Sequence, residues 1–218
     1  MGFLELVPPL LAGARVTVEI TAGASLLALA LAFPAGLARM SRARAVRWTA
    51  TAYIEFFRGT SLLVQLFWLF FVLPQFGLTL SPMAVAIVGI GLNYGAYGAE
   101  VVRGAVEAVP RGQREAARVL GLGPVRAFAL VVLPQAAVAV IRPWGNLFIQ
   151  LLKATSLVSL ISITDLTFRA YQLNQLTVRT AEIFGVVLAI YFLIATVIAH
   201  GTEWLDARAR RWQVRERG

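Results

Sequence analysis

The sequence predicts an all-α integral membrane protein with five transmembrane helices, and three observations support this fold class. Of the 218 residues, 59% are hydrophobic and 14% are charged, whereas a soluble domain carries about 25% charged residues. Apolar stretches of about 20 residues recur along the chain, which is the length that a helix needs to cross a bilayer. Arginines concentrate in alternate connections between these stretches, as expected where such connections face the cytoplasm.

The apolar stretches predict five spans, at about residues 14–38, 55–76, 82–104, 141–163 and 182–204. A further apolar stretch, residues 127–141, is shorter and contains Pro134. Proline lacks a backbone N–H, and the bilayer offers no substitute partner for the carbonyl that is left free. We therefore expect a bent segment there that does not span.

The third span carries a series of small residues at Gly89, Gly91, Gly95 and Gly98. Small residues allow helix backbones to approach closely, so the series predicts a central helix in the bundle. The general enrichment of glycine in membrane helices explains the series nearly as well.

The arginines predict how the spans are oriented. They lie in the first-to-second connection, in the third-to-fourth connection at residues 105–140, and in the C-terminal tail at residues 205–218. With five helices, all three segments fall on one face, which we expect to be cytoplasmic. The N-terminus is then outside and the C-terminus inside. A sixth span would place the arginine-rich tail outside, against the charge bias.

The net charge of +9 has the same explanation and does not indicate a nucleic-acid partner. The chain contains no cysteine, which excludes disulfides and thiolate metal sites. It also contains no Walker A loop, no nucleophile–base set and no carboxylate pair. We therefore predict no catalytic residue, no metal site and no enzymatic activity of the chain's own.

The third-to-fourth connection contains a short predicted helix at residues 110–120, with Pro110 at its entry and Gly121 as its C-cap. Glu115, Ala116 and Ala117 lie on this helix, and the run Val131-Val132-Leu133-Pro134 follows. The spacing resembles the EAA signature of ABC importer permeases, which is E-A-A, three residues, G, nine residues and I-x-L-P. Two adjacent alanines also present a low surface that fits a groove in a partner. An amphipathic helix lying on the lipid is the alternative interpretation of the helix alone.

The resemblance implies a type I ABC importer permease fold, in which this segment is the coupling helix. The residues that would contact the partner ATPase are then Gly112, Glu115, Ala116, Ala117 and Gly121. It further implies a dimer of cytoplasmic ATP-binding subunits, a second permease copy or paralogue, and an extracytoplasmic solute-binding protein. ATP and magnesium would bind to the ATPase, and this chain would bind no cofactor. The location would be the cell membrane of a prokaryote.

Three further segments, residues 55–66, 97–113 and 145–159, resemble the polar amino acid branch of these permeases, which includes histidine, glutamine and arginine importers. The chain departs from that branch at Ser61, where proline is usual, and at Ala154, where an acidic or hydroxyl residue is common. The resemblance implies an amino-acid solute, with a compatible solute such as ectoine as an alternative. A secondary transporter that works without ATP is the alternative mechanism, but we find no internal duplication that would support it.

Polar side chains within the spans suggest a path for the solute. Lys153 is the only lysine and lies midway along its span, where a charge costs about 2.5–3.5 kcal/mol. We expect it to face the bundle interior, where it either shapes a solute cavity or forms a structural ion pair with a carboxylate such as Glu100. The predicted path consists of Thr60, Ser61, Gln65, Asn93, Asn146, Gln150, Lys153, Thr155 and Ser156, and the predicted gating or anchoring residues are Arg58, Glu100 and Arg103. Hydrogen bonds between helices explain the uncharged members of the path equally well.

Overall fold

The computed structural model describes residues 3–215, and within that range the chain is all-α. The helices are α1 (Phe3–Arg39), α2 (Arg44–Gly59), α3 (Leu62–Phe67), α4 (Pro82–Glu107), α5 (Arg111–Val119), α6 (Pro124–Ala127), α7 (Leu133–Ala139), α8 (Ile141–Ala154), α9 (Leu166–Thr177) and α10 (Thr180–Arg215). Short π or 3-10 segments extend α3 (Trp68–Val72 and Leu73–Phe76), join α6 to α7 (Phe128–Val132) and extend α8 (Thr155–Ile161).

Within residues 3–215, four helical stretches are long and apolar enough to cross a membrane, at Glu5–Arg39, Pro82–Glu107, Ile141–Ile161 and Thr180–Arg211. Helix α2 and the extended α3 are together also long and apolar enough to cross, but their axes are bent by 102° with respect to each other. The last helix also continues well beyond the predicted fifth span, through the start of the predicted tail.

The packing of α1 on α4 shows where the fifth crossing lies. A Cβ placed on Gly23 would lie 2.9 Å from Ile87, and one placed on Gly36 would lie 2.6 Å from the Ala99 carbonyl oxygen. Contacts therefore advance along both helices together, so α1 and α4 run parallel. Two parallel helices that both cross a membrane must be joined by a segment that crosses back, and this segment contains α2 and α3.

The second crossing differs from the continuous span that the sequence predicts at residues 55–76. Helix α2 ends at Gly59, and the chain turns sharply before α3 begins at Leu62. The helical stretch from Leu62 to Phe76 rises only about 22 Å, which is less than the roughly 30 Å of a hydrocarbon core. The bend and α2 must therefore supply the remainder of the crossing.

Helix α2 itself was expected to be part of an arginine-rich connection, and the structure corrects this. It buries Ala50 and Ile54 and packs on α1 and α4. Trp48 and Phe56 are exposed on its opposite side. This amphipathic pattern has a helical period, and the hydropathy of the segment alone does not reveal it.

The core consists of three apolar clusters that follow one another along the bundle. One cluster joins the C-terminal halves of α1 and α4 to α7 and Trp144 of α8. The next joins the middle of α1 and the N-terminal half of α4 to α3 and the end of α8. The third joins the start of α1 to α9 and the start of α10. Helix α4 contributes to the first two clusters.

The central position predicted for α4 is confirmed by its glycines. A Cβ placed on each would lie between 2.5 and 2.8 Å from a neighbouring helix, at Leu66 for Gly89, Leu27 for Gly91, Tyr53 for Gly95 and Trp144 for Gly98. Real Cβ atoms do not approach so closely, so α1, α2, α3 and α8 reach the backbone of α4 only because these side chains are missing.

The apolar stretch at residues 127–141 is helical but too short to span, as predicted. It contains the π-helical turn Phe128–Val132 immediately before Pro134. A wider turn at this point is consistent with the missing N–H of proline, which interrupts the regular α-helical ladder.

The connection between α8 and α10 is fixed to the start of α1 at Asp165 and Leu166. Asp165 caps α9 by accepting hydrogen bonds from the backbone N–H groups of Thr167 and Phe168. The next residue, Leu166, donates its N–H to the Thr17 hydroxyl of α1. A Cβ on Gly13 would lie 2.7 Å from the Asp165 carbonyl oxygen. Helix α9 therefore lies directly on the backbone of α1.

Candidate functional site

Helix α5 projects from the end of α4 as a short, separately capped helix. Its C-terminus is closed by Gly121, which has a φ of 78°. The Gly121 N–H donates to the Arg118 carbonyl at 2.9 Å, and the Leu122 N–H donates to the Ala117 carbonyl at 3.0 Å. This pair of bonds is a Schellman motif, which satisfies the last carbonyls of the helix. The predicted C-cap at Gly121 is thereby confirmed.

The two alanines of α5 do not share one surface. Ala116 is exposed together with Gly112 and Glu115, whereas Ala117 is 2% exposed and packs inward. Neighbouring helical positions point about 100° apart, so two adjacent residues cannot both lie at the centre of one face. Of the two alanines, only Ala116 therefore presents a small side chain on the exposed face where a partner could dock.

An apolar patch follows α5 that sequence reasoning missed. Val119, Leu120 and Val125 are each about four-fifths or more exposed. Large apolar side chains grouped at such exposure are typical of a protein–protein contact. The sequence signal was available, because Val119 and Leu120 directly follow the mostly polar residues 111–118.

Helix α5 is attached to the last turns of α4 by an arginine. Arg114 donates from Nη2 to the Val106 carbonyl oxygen at 2.6 Å. The Arg114 side chain also lines a cavity of about 370 Å³ that is bounded by the end of α1, α4 and the segment from Pro124 to Val132. A movement of α5 therefore acts directly on α4.

A chain of five charged residues joins α1, α2 and α4 near this end of the bundle. Arg39 donates to Glu55 at 2.8 Å and to Glu100 at 2.6 Å. Arg103 donates to the other carboxylate oxygen of Glu100 at 2.9 Å and to Glu107 at 2.6 Å. The chain holds α2 against α1 and α4, and the sequence reasoning named neither Arg39 nor Glu107 as a member.

This chain of charges contradicts the pairing of Lys153 with Glu100 that was considered from the sequence. Both oxygens of the Glu100 carboxylate are already bonded to arginines. The remaining predicted gating residue, Arg58, lies over the ring of Tyr97, with 5.3 Å between the guanidinium carbon and the ring centre. Arg58 therefore contacts α4 through an aromatic ring instead of a carboxylate.

Three of the predicted path residues meet at the bend between α2 and α3. The Asn93 amide donates to the Phe57 carbonyl at 2.8 Å and to Gln65 Oε1 at 3.1 Å. The Gln65 amide donates to the same Phe57 carbonyl at 3.0 Å and to the Thr60 hydroxyl at 2.6 Å. Both amides are buried. They supply hydrogen bonds to a carbonyl that the end of α2 leaves without a helical partner.

Three other path residues lie on α8. Asn146, Gln150 and Lys153 are exposed on one side of the helix, opposite the buried residues Trp144, Gly145, Leu147, Leu151 and Leu152. The expectation that Lys153 faces the interior of the bundle is wrong for the single protomer. The apolar side of α8 takes the interior position, because it alone completes the core with α1 and α4.

The hydroxyl members of the predicted path are bonded locally or lie at the bend. Thr155 donates to the Leu152 carbonyl at 2.7 Å, and Ser156 donates to the Lys153 carbonyl at 2.9 Å. Ser61 is exposed at the break between α2 and α3. Within residues 3–215, no group of three or more His, Asp or Glu side chains could hold a metal ion.

Several long helices packed around α4, with a capped helix projecting beyond one end, define a polytopic membrane protein built to dock a partner. A family model described as "binding-protein-dependent transport system inner membrane component" matches residues 24–211, and the chain belongs to this family.

Individual relatives agree with the family. The probable amino-acid ABC transporter permease protein y4tF of Sinorhizobium fredii (strain NBRC 101917 / NGR234) is 41% identical, and the alignment covers 98% of this chain and 92% of that protein. The L-cystine transport system permease protein TcyB of Bacillus subtilis (strain 168) is 37% identical over 87% of this chain and 83% of that protein.

Solved structures show the same fold. An amino acid ABC transporter crystallised with histidines contains a chain that is 33% identical, with a TM-score of 0.88, and the match covers 95% of this chain and 99% of that one. The MetNI methionine ABC transporter matches with a TM-score of 0.77 at 21% identity, which bears on the fold alone. The predicted fold and the predicted role as an ABC importer permease subunit are confirmed.

Proposed function

We propose that this permease carries amino acids or amino-acid-like solutes into a prokaryotic cell, with the energy supplied by ATP hydrolysis in a separate subunit. The names of the relatives support the solute class, since they include a probable amino-acid transporter and an L-cystine transporter. The observation that carries the coupling mechanism is α5, a capped helix with an exposed acidic and apolar surface and a direct bond to α4.

The docking surface of this proposal consists of Glu115, Ala116, Val119, Leu120 and Val125. ATP and magnesium bind to the partner ATPase, and two copies of that subunit serve two permease chains, which are identical or paralogous. A solute-binding protein delivers the solute at the outer face. The N-terminus lies outside and the C-terminus in the cytoplasm, as the arginine bias predicts. Closure of the ATPase dimer moves α5, and the Arg114–Val106 bond passes that movement to α4.

The solute path of this proposal runs along the exposed side of α8. Lys153 lies about midway along the apolar stretch Ile141–Ile161 and is exposed on the surface of the protomer. Facing lipid would cost this charge several kcal/mol, about 2.5–3.5 on insertion scales. We infer that this side of α8 faces a cavity between two permease chains, where an ammonium and the amides of Asn146 and Gln150 can bind a carboxylate. Amino acids and ectoine both carry that group.

The coupling step is tested by reconstituting the permease with its ATPase and solute-binding protein in proteoliposomes. Ala116→Trp places a large ring at the centre of the docking surface, so ATPase co-purification and ATP-dependent uptake should both fall at least about tenfold. Arg118→Ala, on the opposite side of the same helix from Ala116, is the matched control and should leave both measurements within twofold. Uptake that proceeds without the ATPase, or normal co-purification of Ala116→Trp, would refute the mechanism.

The solute path is tested separately with Lys153→Met and Lys153→Arg. Loss of the charge should lower uptake at least about tenfold, while the ATPase still co-purifies, and the arginine variant should retain most of the uptake. Normal uptake by the methionine variant would remove Lys153 from the path and leave the docking proposal intact.

A further inference from the structure

A groove on the outer surface of the bundle lies between α1 and α10, far from α5 and from the exposed side of α8. It has a volume of about 420 Å³, and its floor is Phe148 of α8. Its walls are Val18, Thr21, Ala22 and Ser25 of α1 with Ile194, Val197 and Ile198 of α10. The Thr21 hydroxyl is bonded to the Thr17 carbonyl of its own helix at 2.7 Å. The groove therefore offers an almost entirely apolar surface.

Both walls belong to the side of the bundle that the protein itself leaves uncovered. In the 18-residue apolar stretch of α10, only 11% of the residues are buried, compared with 61% in the corresponding stretch of α4. In a membrane-spanning chain such a side faces lipid, and a concave apolar surface there fits an acyl chain.

Helix α10 continues from this groove to a cationic and aromatic end on the same side of the helix. Gly201 comes first, and a Cβ there would meet no atom within 4 Å, so the space stays open. Trp204 and Leu205 follow and are both more than half exposed. The guanidinium of Arg208 lies over the Trp204 ring at 5.7 Å. Members of this series, from Ile194 and Ile198 to Arg208, follow one another at spacings of three, four, seven or ten residues. These are the spacings that keep residues on one side of a helix.

The distance from this end to the groove matches one leaflet of a bilayer. Ten residues separate Ile198 from Arg208, which corresponds to about 15 Å of helix. Half of the roughly 30 Å hydrocarbon core has the same thickness. Arginine and tryptophan are typical of the membrane interface, where arginine attracts the phosphate of anionic lipids.

Arg208 is also free to bind an anion. Its neighbour Arg210 is bonded to Asp206, and Asp206 is bonded to Arg142 as well. In the portion of the tail whose side chains the structure describes, no carboxylate lies within ion-pair distance of Arg208. Asp206 therefore fixes α10 to α8 through Arg142 and also occupies Arg210, whereas Arg208 points out beside the tryptophan.

We propose that an anionic phospholipid binds in this groove, with one acyl chain between α1 and α10 and its phosphate at Arg208 beside Trp204. The lipid would fill a gap between two helices that contact each other little and would hold α10 against the bundle. The proposal concerns a side of the chain that neither the docking surface nor the solute path uses, so it does not depend on the solute that is carried.

The test counts lipids that stay bound to the purified transporter in detergent, by native mass spectrometry after incubation with phosphatidylglycerol or phosphatidylcholine of identical chains. The unchanged chain should prefer phosphatidylglycerol. Arg208→Gln should lower that preference about fivefold, since one arginine near the surface contributes about that factor. Arg44→Gln removes the same charge from α2, away from the groove, and should change that preference less than twofold. Equal effects of the two variants would overturn the phosphate assignment.

The groove is tested by filling it and by labelling it. Ala22→Phe occupies the apolar space without changing a charge, so retention of both lipids should fall. Because the chain contains no cysteine, Val197→Cys can carry a single fluorophore at the rim, and lipids brominated in the middle of the chain should quench it. Unchanged lipid retention in Ala22→Phe would overturn the proposal. Protection of the Val197→Cys label from brominated lipid would do so as well, since it would show that a second permease chain covers the groove.

Discussion

Substituting Gly98 with alanine should destabilise the bundle at the crossing of α4, α8 and α1. The new Cβ would lie 2.5 Å from two ring carbons of Trp144 and 2.9 Å from the Cβ of Ala32. Carbon atoms normally approach to about 3.5–4.0 Å, so the helices must separate by roughly 1 Å. The Trp144 ring cannot turn away, because it is 4% exposed and its centre lies 5.4 Å from that of Phe148.

The magnitude follows from two opposing terms. Overpacking a core costs about 1–3 kcal/mol, whereas alanine is favoured over glycine in a helix by up to about 1 kcal/mol. Gly104→Ala on the same helix is the matched control, because a Cβ there meets no atom within 4 Å and only the favourable term applies. Both variants gain the favourable term, so they should differ by the overpacking cost alone, about 1–3 kcal/mol, or between about 2 and 12 °C in Tm.

Thermal unfolding of the purified chain in detergent measures this difference, and a second substitution identifies its cause. Trp144→Phe removes both ring carbons that the new Cβ would contact. The double variant Gly98→Ala/Trp144→Phe should therefore be at least 1 kcal/mol more stable than the sum of the single effects, roughly as expected for residues in contact. Equal melting of Gly98→Ala and Gly104→Ala, or additive single effects, would refute the packing argument.

Three further predictions concern polar groups. Asn93→Leu removes the two hydrogen bonds that this amide donates at the α2–α3 bend and should cost about 2–3 kcal/mol in the same unfolding assay, and an unchanged Tm would mean that the bend does not depend on this amide. Glu100→Gln should cost about 1–3 kcal/mol, since two arginines lose a charged partner, and the loss should be smaller at high salt; salt independence would contradict it. Burial raises the pKa of Asp165 to about 6, so the folded chain binds that proton more tightly than the unfolded chain, whose Asp pKa is about 4. Stability should then fall by about 3 kcal/mol as the pH rises from about 4 to about 6, and Asp165→Asn should abolish this dependence.

The parts of the fold that the sequence predicts are those with a local cause. A span is visible because the bilayer requires about 20 apolar residues in a row. The end of α5 is visible because Gly121 takes a φ of 78°, a conformation that glycine adopts without strain. The close approach of helices to α4 can be predicted because it requires glycines, and the glycine series of α4 can be read directly from the sequence.

The parts that could not be predicted depend on partners distant in sequence. The bend after Gly59 lies within an apolar stretch, and it is held by Asn93, which bonds to a carbonyl 36 residues away. Arg39 finds Glu100 across 61 residues, so neither residue alone indicates the pair. The exposed position of Lys153 follows from the helix side that completes the core, which depends on how α8 packs against its neighbours.

The close packing around α4 offers a route by which a movement of α5 would reach the other helices of the bundle. At its glycines, side chains of α1, α2, α3 and α8 lie directly against the backbone of α4, which leaves α4 little room to shift against its neighbours. The charges on Arg39, Glu55, Glu100 and Arg103 then fix α2 to the same unit. A displacement of α5 should therefore move these helices together as one body, since close-packed interiors transmit displacement and do not absorb it. The exposed side of α8, with Lys153, belongs to that body, so under the proposed mechanism a docking event at α5 would change the position of this charge.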